Sequence, residues 1–213
     1  VFFSLEMSRT ELAMRILSAE GKISMGRLKK GDLDTEGWTN LATLQGRIDS
    51  APLFIDDSPN MTLMEIRAKC RRLKQRNDLK LVVLDYLQLM SSGKKVESRQ
   101  QEVSEFSRSL KLLAKELDVP VIALSQLNRG SEQRTDKRPM VSDLRESGSI
   151  EQDADMVILL HREDMYNPDS ERVGEADMII AKHRGGPTRT IPLAFSGKYS
   201  RFNNMANEAP PQY

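Results

Sequence analysis

Three polar residues, Glu6, Asp85 and Gln126, each close a short apolar run: Val1-Phe-Phe-Ser-Leu-Glu6, Leu81-Val-Val-Leu-Asp85 and Val121-Ile-Ala-Leu-Ser-Gln126. A strand covered on both faces reads as an unbroken apolar run, and its carboxyl end opens onto the crevice where ligands bind in parallel sheets. An aspartate there can hold Mg²⁺, through water, beside nucleotide phosphates. A second carboxylate can orient and deprotonate a water, and an amide can sense the terminal phosphate. If the three runs are parallel neighbours, Glu6, Asp85 and Gln126 emerge on one edge with the parts that phosphoanhydride hydrolysis requires. Two of them also have a plainer reading: Asp85 as the start of a turn or a helix cap, and Glu6 as a charge complementing the amino end of a helix that begins near Ser8.

Two further groups could act on phosphates. In Lys182-His-Arg184-Gly-Gly-Pro187, residues two apart on an extended segment point the same way, so Lys182 and Arg184 form a paired cationic tip beside a turn. Such a tip can stabilise charge on a phosphate held by a neighbouring subunit; its plainer reading is a solvated hairpin end. In Arg145-Glu-Ser-Gly-Ser149, Gly148 lets the backbone approach closely, successive amides can cradle a phosphate and Arg145 adds charge. Nearby Arg129, Arg134, Lys137 and Arg138 are counted as candidates to line the same surface. His161 reads as structural and His183 as surface.

Positioning these groups requires an α/β framework, in which short apolar runs alternate with segments of helical period. Strands are expected at Val1–Ser4, Leu53–Ile55, Leu81–Leu84, Val121–Leu124, Met156–Leu160, Met178–Ala181, Thr190–Phe195 and Tyr199–Phe202, in a largely parallel sheet. Helix starts are marked by Ser8…Glu11, Thr62…Glu65 and Ser98…Gln101, the spacing of reciprocal capping. Leu63, Ile66, Cys70 and Leu73, then Val103, Phe106, Leu110, Leu113 and Leu117, form core-facing stripes. The cations of Arg67–Arg76 fall on the remaining, solvated face. Trp38 is expected as one buried aromatic in a loop. The polar stretch from Gln126 to Gly148 lacks a sustained period, and a loop that long inside a domain is usually functional.

Composition bounds the answer. The 213 residues support one hydrophobic core, so residues 1–204 read as one domain and 205–213 as a flexible tail. The apolar runs fall far short of the roughly 20 residues that cross a bilayer. One cysteine, Cys70, excludes an internal disulfide and a thiolate metal cluster, which fits a reducing cytoplasm. With 32 basic against 31 acidic residues, any nucleic-acid contact must come from local clusters. Val1 lies inside an apolar run without a charged leader, so a preceding segment is expected.

The strings Phe3-Ser-Leu-Glu-Met7, Leu84-Asp-Tyr-Leu-Gln-Leu-Met90, Ala123-Leu-Ser-Gln-Leu-Asn-Arg129 and Asp143-Leu-Arg-Glu-Ser-Gly-Ser-Ile-Glu-Gln-Asp-Ala-Asp155 resemble, in order and spacing, consecutive motifs of the DnaB family of bacterial replicative DNA helicases. The similarity runs from Val1 to about Asn204. It implies a RecA-like P-loop NTPase core, a mostly parallel sheet flanked by helices, here without its first strand and P-loop. It also implies a homohexameric ring that hydrolyses ATP with Mg²⁺ and moves along single-stranded DNA. Primase and a helicase loader would be partners of the parent protein, which would work at the replisome in the cytoplasm, with no membrane.

On that pattern Glu6 matches the catalytic glutamate, Asp85 the Walker B aspartate and Gln126 the switch that couples nucleotide state to DNA-binding loops. Lys182 and Arg184 match residues that act in trans. Arg145, Glu146 and Gly148 match positions that track the single-strand backbone, and Arg129 shares the motif of Gln126. Binding of that kind follows phosphates rather than bases.

The pattern is broken in one place. No G-x-x-x-x-G-K-[ST] string, whose amides, lysine and hydroxyl hold phosphates and Mg²⁺, occurs in the chain. The family carries it just upstream of the part matched here, so residues 1–213 alone are expected to show no turnover. Two other readings stand beside this one: a RadA-like DNA-repair ATPase of the RecA family, and a non-catalytic DNA-binding ring module.

Overall fold

The computed structural model describes residues 1–91, 98–144 and 148–205. Its contacts divide the chain into two compact units. The first comprises Val1–Arg9, Pro52–Asp136 and Met140–Asp155; the second comprises Thr10–Ala51, Lys137–Pro139 and Met156–Tyr213. Residues 206–213, most of the expected tail, lie outside the described residues.

In the first unit the apolar runs become a parallel sheet. Strands β1 (Phe2–Ser4), β2 (Ile55–Asp56), β3 (Val82–Asp85) and β4 (Val121–Ala123) lie in the order β2-β1-β3-β4. The register sets Phe2 beside Val83, Ser4 beside Asp85 and Leu84 beside Ala123. Phe3, Val82 and Leu84 are wholly buried. At the end of the sheet β4 leaves Ile122 52 % exposed, and Leu124 just after it is 40 % exposed.

Helices flank this sheet. α4 (Leu63–Asn77) starts as its spacing foretold: Glu65 N–H donates to the Thr62 hydroxyl at 3.3 Å, and Thr62 N–H donates back to the Glu65 carboxylate at 2.7 Å. α5 (Arg99–Leu117) is capped by the Ser98 hydroxyl, which accepts from Gln101 N–H. Its stripe of Val103, Phe106, Leu110, Leu113 and Leu117 is buried throughout, and Ile66 and Cys70 are buried on α4. Each such side chain contributes about 1.5–3 kcal/mol through burial. Glu116 of α5 accepts from Arg67 and Arg71 of α4, so part of the basic run is paired within the chain. Short helices α6 (Gly130–Gln133) and α7 (Gly148–Asp153) complete this unit, α7 being tied to α5 by a 2.8 Å bond between the Ser149 and Ser104 hydroxyls.

The second unit holds α1 (Arg9–Gly21), apart from its first residue, with α2 (Met25–Lys30) and α3 (Thr35–Asp49). Gly31 ends α2 at φ 67°, where a side chain would be strained. The Asp34 carboxylate caps α3 by accepting from Gly37 N–H at 2.8 Å. That cap places Trp38 on a helix rather than in a loop, and Trp38 is 57 % exposed, so the expectation of a buried aromatic was wrong.

The remaining strands, β5 (Met156–His161), β6 (Glu175–His183), β7 (Arg189–Ser196) and β8 (Arg201–Asn204), form an antiparallel meander in sequence order. Every later strand was foreseen within a few residues, but not this direction of pairing. Without a long helix between successive strands, neighbours can only turn back on one another. Among the described residues, no helix is long and apolar enough to cross a membrane.

Candidate functional site

Backbone hydrogen bonds carry β1, β3 and β4 to a common carboxyl edge. Leu5 N–H donates to the Asp85 carbonyl at 2.8 Å, and Leu124 N–H to the Leu84 carbonyl at 2.9 Å. Glu6, Asp85 and Gln126 therefore leave one rim of the first unit on adjacent strands, whose usual spacing is about 4.8 Å. Asp85 is half-buried; Glu6 and Gln126 are exposed. The Asp85–Tyr86 peptide is cis.

Local chemistry holds each residue at that rim. The buried Ser4 hydroxyl donates to the Met7 carbonyl at 2.6 Å and accepts from Met7 N–H at 3.1 Å, closing a turn around Glu6. The plainer reading of Glu6, as the charge serving the next helix, falls instead to Asp57. Its carboxylate accepts from Arg9 N–H, the first amide of α1, at 2.8 Å, and that bond lowers its pKa.

After Asp85 the chain makes one 3₁₀ turn, Leu87–Leu89, which brings Gln88 against the exit of β4. The Gln88 amide donates to the Ser125 hydroxyl at 2.9 Å, and its oxygen accepts from Gln126 N–H at 3.2 Å. Arg99 supports this turn, donating to the carbonyls of Gln88 at 2.6 Å and Met90 at 3.0 Å, while pairing with the buried Glu102. Sequence reasoning missed both Gln88 and Arg99; Gln88 stood inside a quoted string, but nothing local marked its partner.

The polar stretch beyond Gln126 is more ordered than its composition suggested. Leu127 bridges to Leu144 in antiparallel fashion. Arg129 precedes α6 and is exposed. Arg134, counted among the surface cations, instead grips the buried Asp143 with both terminal nitrogens, at 2.8 and 2.7 Å. That guanidinium holds the Asp143 carboxyl below the usual carboxylate range. At Gly148 an added Cβ would meet nothing within 4 Å among the described residues, so no close approach among them requires that glycine. Arg145 and Glu146 lie outside the described residues.

Lys182 and Arg184 belong to the second unit. Lys182 sits in β6 opposite Val157, whereas β6 ends at His183 and Arg184 opens the exposed turn. His183, read as surface, is half-buried, and its ring lies against the turn: a Cβ at Gly186 would stand 2.6 Å from two of its atoms.

In the same unit Arg138 donates to Asp177 at 2.7 Å and to the Thr190 hydroxyl at 2.9 Å, so it too serves the fold. Asp177, 4 % exposed, also accepts from Arg172 at 2.7 and 3.1 Å. His161 stacks on Tyr166 at 6.1 Å between centroids.

For a metal, the donor set is sparse. Among the described residues no cluster of three or more His, Cys, Asp or Glu is present. Asp85 beside an open rim suits a Mg²⁺ that arrives with phosphates and keeps most of its waters, rather than a resident ion in a protein cage.

Known proteins bear on this arrangement. Residues 1–204 match the family model described as the DnaB-like helicase C-terminal domain. The chain is 70 % identical over 206 residues to the replicative DNA helicase DnaB of Leifsonia xyli subsp. xyli, covering 97 % of this chain and 45 % of that protein. It is 57 % identical over 204 residues to the replicative DNA helicase DnaB of Geobacillus stearothermophilus, covering 95 % and 45 %. It thus spans less than half the length of these curated relatives. Among solved structures, one described as an ATPase domain superposes with a TM-score of 0.91 at 43 % identity, covering 96 % of this chain and 73 % of that one. A DnaB-like replicative helicase described with its interactions with primase gives 0.92 at 43 % identity, covering 96 % and 50 %. The parallel sheet, its flanking helices and a match over nearly the whole chain agree: this chain belongs to the DnaB-like helicase C-terminal domain family, with the RecA-like ATPase fold.

Proposed function

We propose that this chain is the motor portion of a replicative DNA helicase that hydrolyses ATP, translocates on single-stranded DNA and separates the duplex at a replication fork as a homohexameric ring. The observation that carries the reading is the common rim of Glu6, Asp85 and Gln126 on adjacent parallel strands. ATP with Mg²⁺ supplies the scissile phosphoanhydride and, when bound, a cation that offsets charge on the phosphates. Asp85 would hold that cation, through water, beside the phosphates. Glu6 orients the attacking water and takes its proton, and the Gln126 amide answers to the presence of the terminal phosphate.

Lys182 and Arg184 reach toward the nucleotide of an adjacent subunit. Arg129 and the stretch of Arg145, Glu146 and Gly148 follow the phosphates of the single strand. One structural relative is described with its interactions with primase; primase and a helicase loader would engage this protein through the rest of its parent, in the cytoplasm at the replisome.

A phosphate-cradling G-x-x-x-x-G-K-[ST] loop is not among these residues, so turnover belongs to the full-length parent. There, Glu6→Gln should lower hydrolysis by about 100-fold or more while nucleotide binding persists, as loss of a general base requires. Hydrolysis unaffected by Glu6→Gln, or clear turnover by residues 1–213 alone, would overturn the assignment.

A further inference from the structure

Within the first unit, the path from Gln126 to the stretch proposed to follow DNA is held at one buried carboxylate. Asp143 is 4 % exposed and sits in the 3₁₀ turn Val141–Asp143. Its carboxylate accepts from Arg134 at 2.8 and 2.7 Å and from Met140 N–H at 2.8 Å. Its carbonyl accepts from Asn128 N–H at 2.7 Å, and the next residue, Leu144, bridges to Leu127. The residue just before Arg129 is therefore fastened to the residue just before Leu144. On the other side, Gln88 holds Gln126 N–H at 3.2 Å. Hydrogen bonds thus fasten both ends of the segment 126–128, Gln126 to the turn after β3 and Asn128 to Asp143, with only Leu127 between them along the chain.

We propose that Asp143, locked by Arg134, is a positioning residue that passes a shift of Gln126 to Arg129 and to Leu144, the entrance to the DNA-following stretch. The inference rests on the function proposed above and adds a link between its two sites. A bidentate guanidinium-carboxylate pair suits such a role because it fixes orientation as well as distance. Asp143 is buried but Arg134 is 31 % exposed, so screening by solvent keeps the pair's stabilisation modest while its two parallel hydrogen bonds still fix orientation. Arg134 itself has both terminal nitrogens committed to Asp143, which sets it apart from Arg129.

The test uses the full-length parent, with ATP hydrolysis measured without and with a saturating single-stranded oligonucleotide, and thermal melting recorded alongside. Asp143→Asn keeps the shape and an acceptor for Met140 N–H but loses the charge pair. Its oligonucleotide-free kcat and its KM for ATP should stay within about twofold of wild type, while stimulation by the oligonucleotide falls by about tenfold, a loss typical of broken coupling. Arg134→Lys, which keeps the charge without the fork, should show an intermediate loss, and it carries the same readout if Asp143→Asn does not fold. Undiminished stimulation in these variants overturns the proposal. So does a parallel fall of basal and stimulated rates with a lowered melting temperature, the mark of a structural role alone. If wild type is itself not stimulated, the functional reading fails first, and that outcome is separate from the other two.

Discussion

Gln88 and Gln126 are joined side chain to backbone: the Gln88 oxygen accepts from Gln126 N–H at 3.2 Å, and its nitrogen also lies 3.4 Å from the Gln126 carbonyl. One amide therefore brackets the residue proposed to sense the terminal phosphate and ties it to the turn that follows Asp85. Gln88→Ala in the full-length parent should lower kcat for ATP by about tenfold, the value of roughly 1.4 kcal/mol of lost orientation, with little change in KM. Steady-state kinetics decide it, and a full rate would show that Gln126 is set by β4 alone.

Asp177 lies between Arg172 and Arg138, and the Arg172 hydrogen bonds, ahead of those from Arg138, hold its carboxyl below the ordinary aspartate range. A folded-state pKa below the unfolded value contributes stability that is present above the unfolded pKa and is lost as pH falls through the folded one. Asp177→Asn should therefore be less stable than wild type near pH 7, with the gap narrowing below about pH 4. Denaturant midpoints across that range test it; a gap independent of pH would mean that shape, not charge, matters there.

Cys70 is wholly buried on α4, and burial pushes its thiol up to about 11. A thiol reagent should react with it more than ~100-fold more slowly in the native protein than in denaturant, because local opening must come first. Fast native labelling would show that the packing of α4 is looser than described.

Much of the framework was legible because its signals are local. The run Leu81-Val-Val-Leu ends in an aspartate whose strand is buried and parallel, and Thr62 with Glu65 announced α4 down to the reciprocal hydrogen bonds. What escaped depends on partners distant in sequence. Gln88 meets Gln126 across 38 positions and Arg138 meets Asp177 across 39, so neither pairing leaves a trace in spacing. Arg134 and Arg138 looked like free cations because their carboxylates come later in the chain. Trp38 was misjudged for a different reason. Bulk suggested burial, yet Asp34 starts a helix whose turn leaves that side chain facing solvent.

The strand that ends the parallel sheet carries one more implication. Among the described residues, β4 has a hydrogen-bonded neighbour only on the β3 side, and Ile122 within it and Leu124 just after it are exposed apolar residues. A strand that ends a sheet is a template for any extended peptide that meets it. At high concentration, the isolated polypeptide is its own nearest supply of such peptides, so purified preparations of it should turn cloudy as they are concentrated.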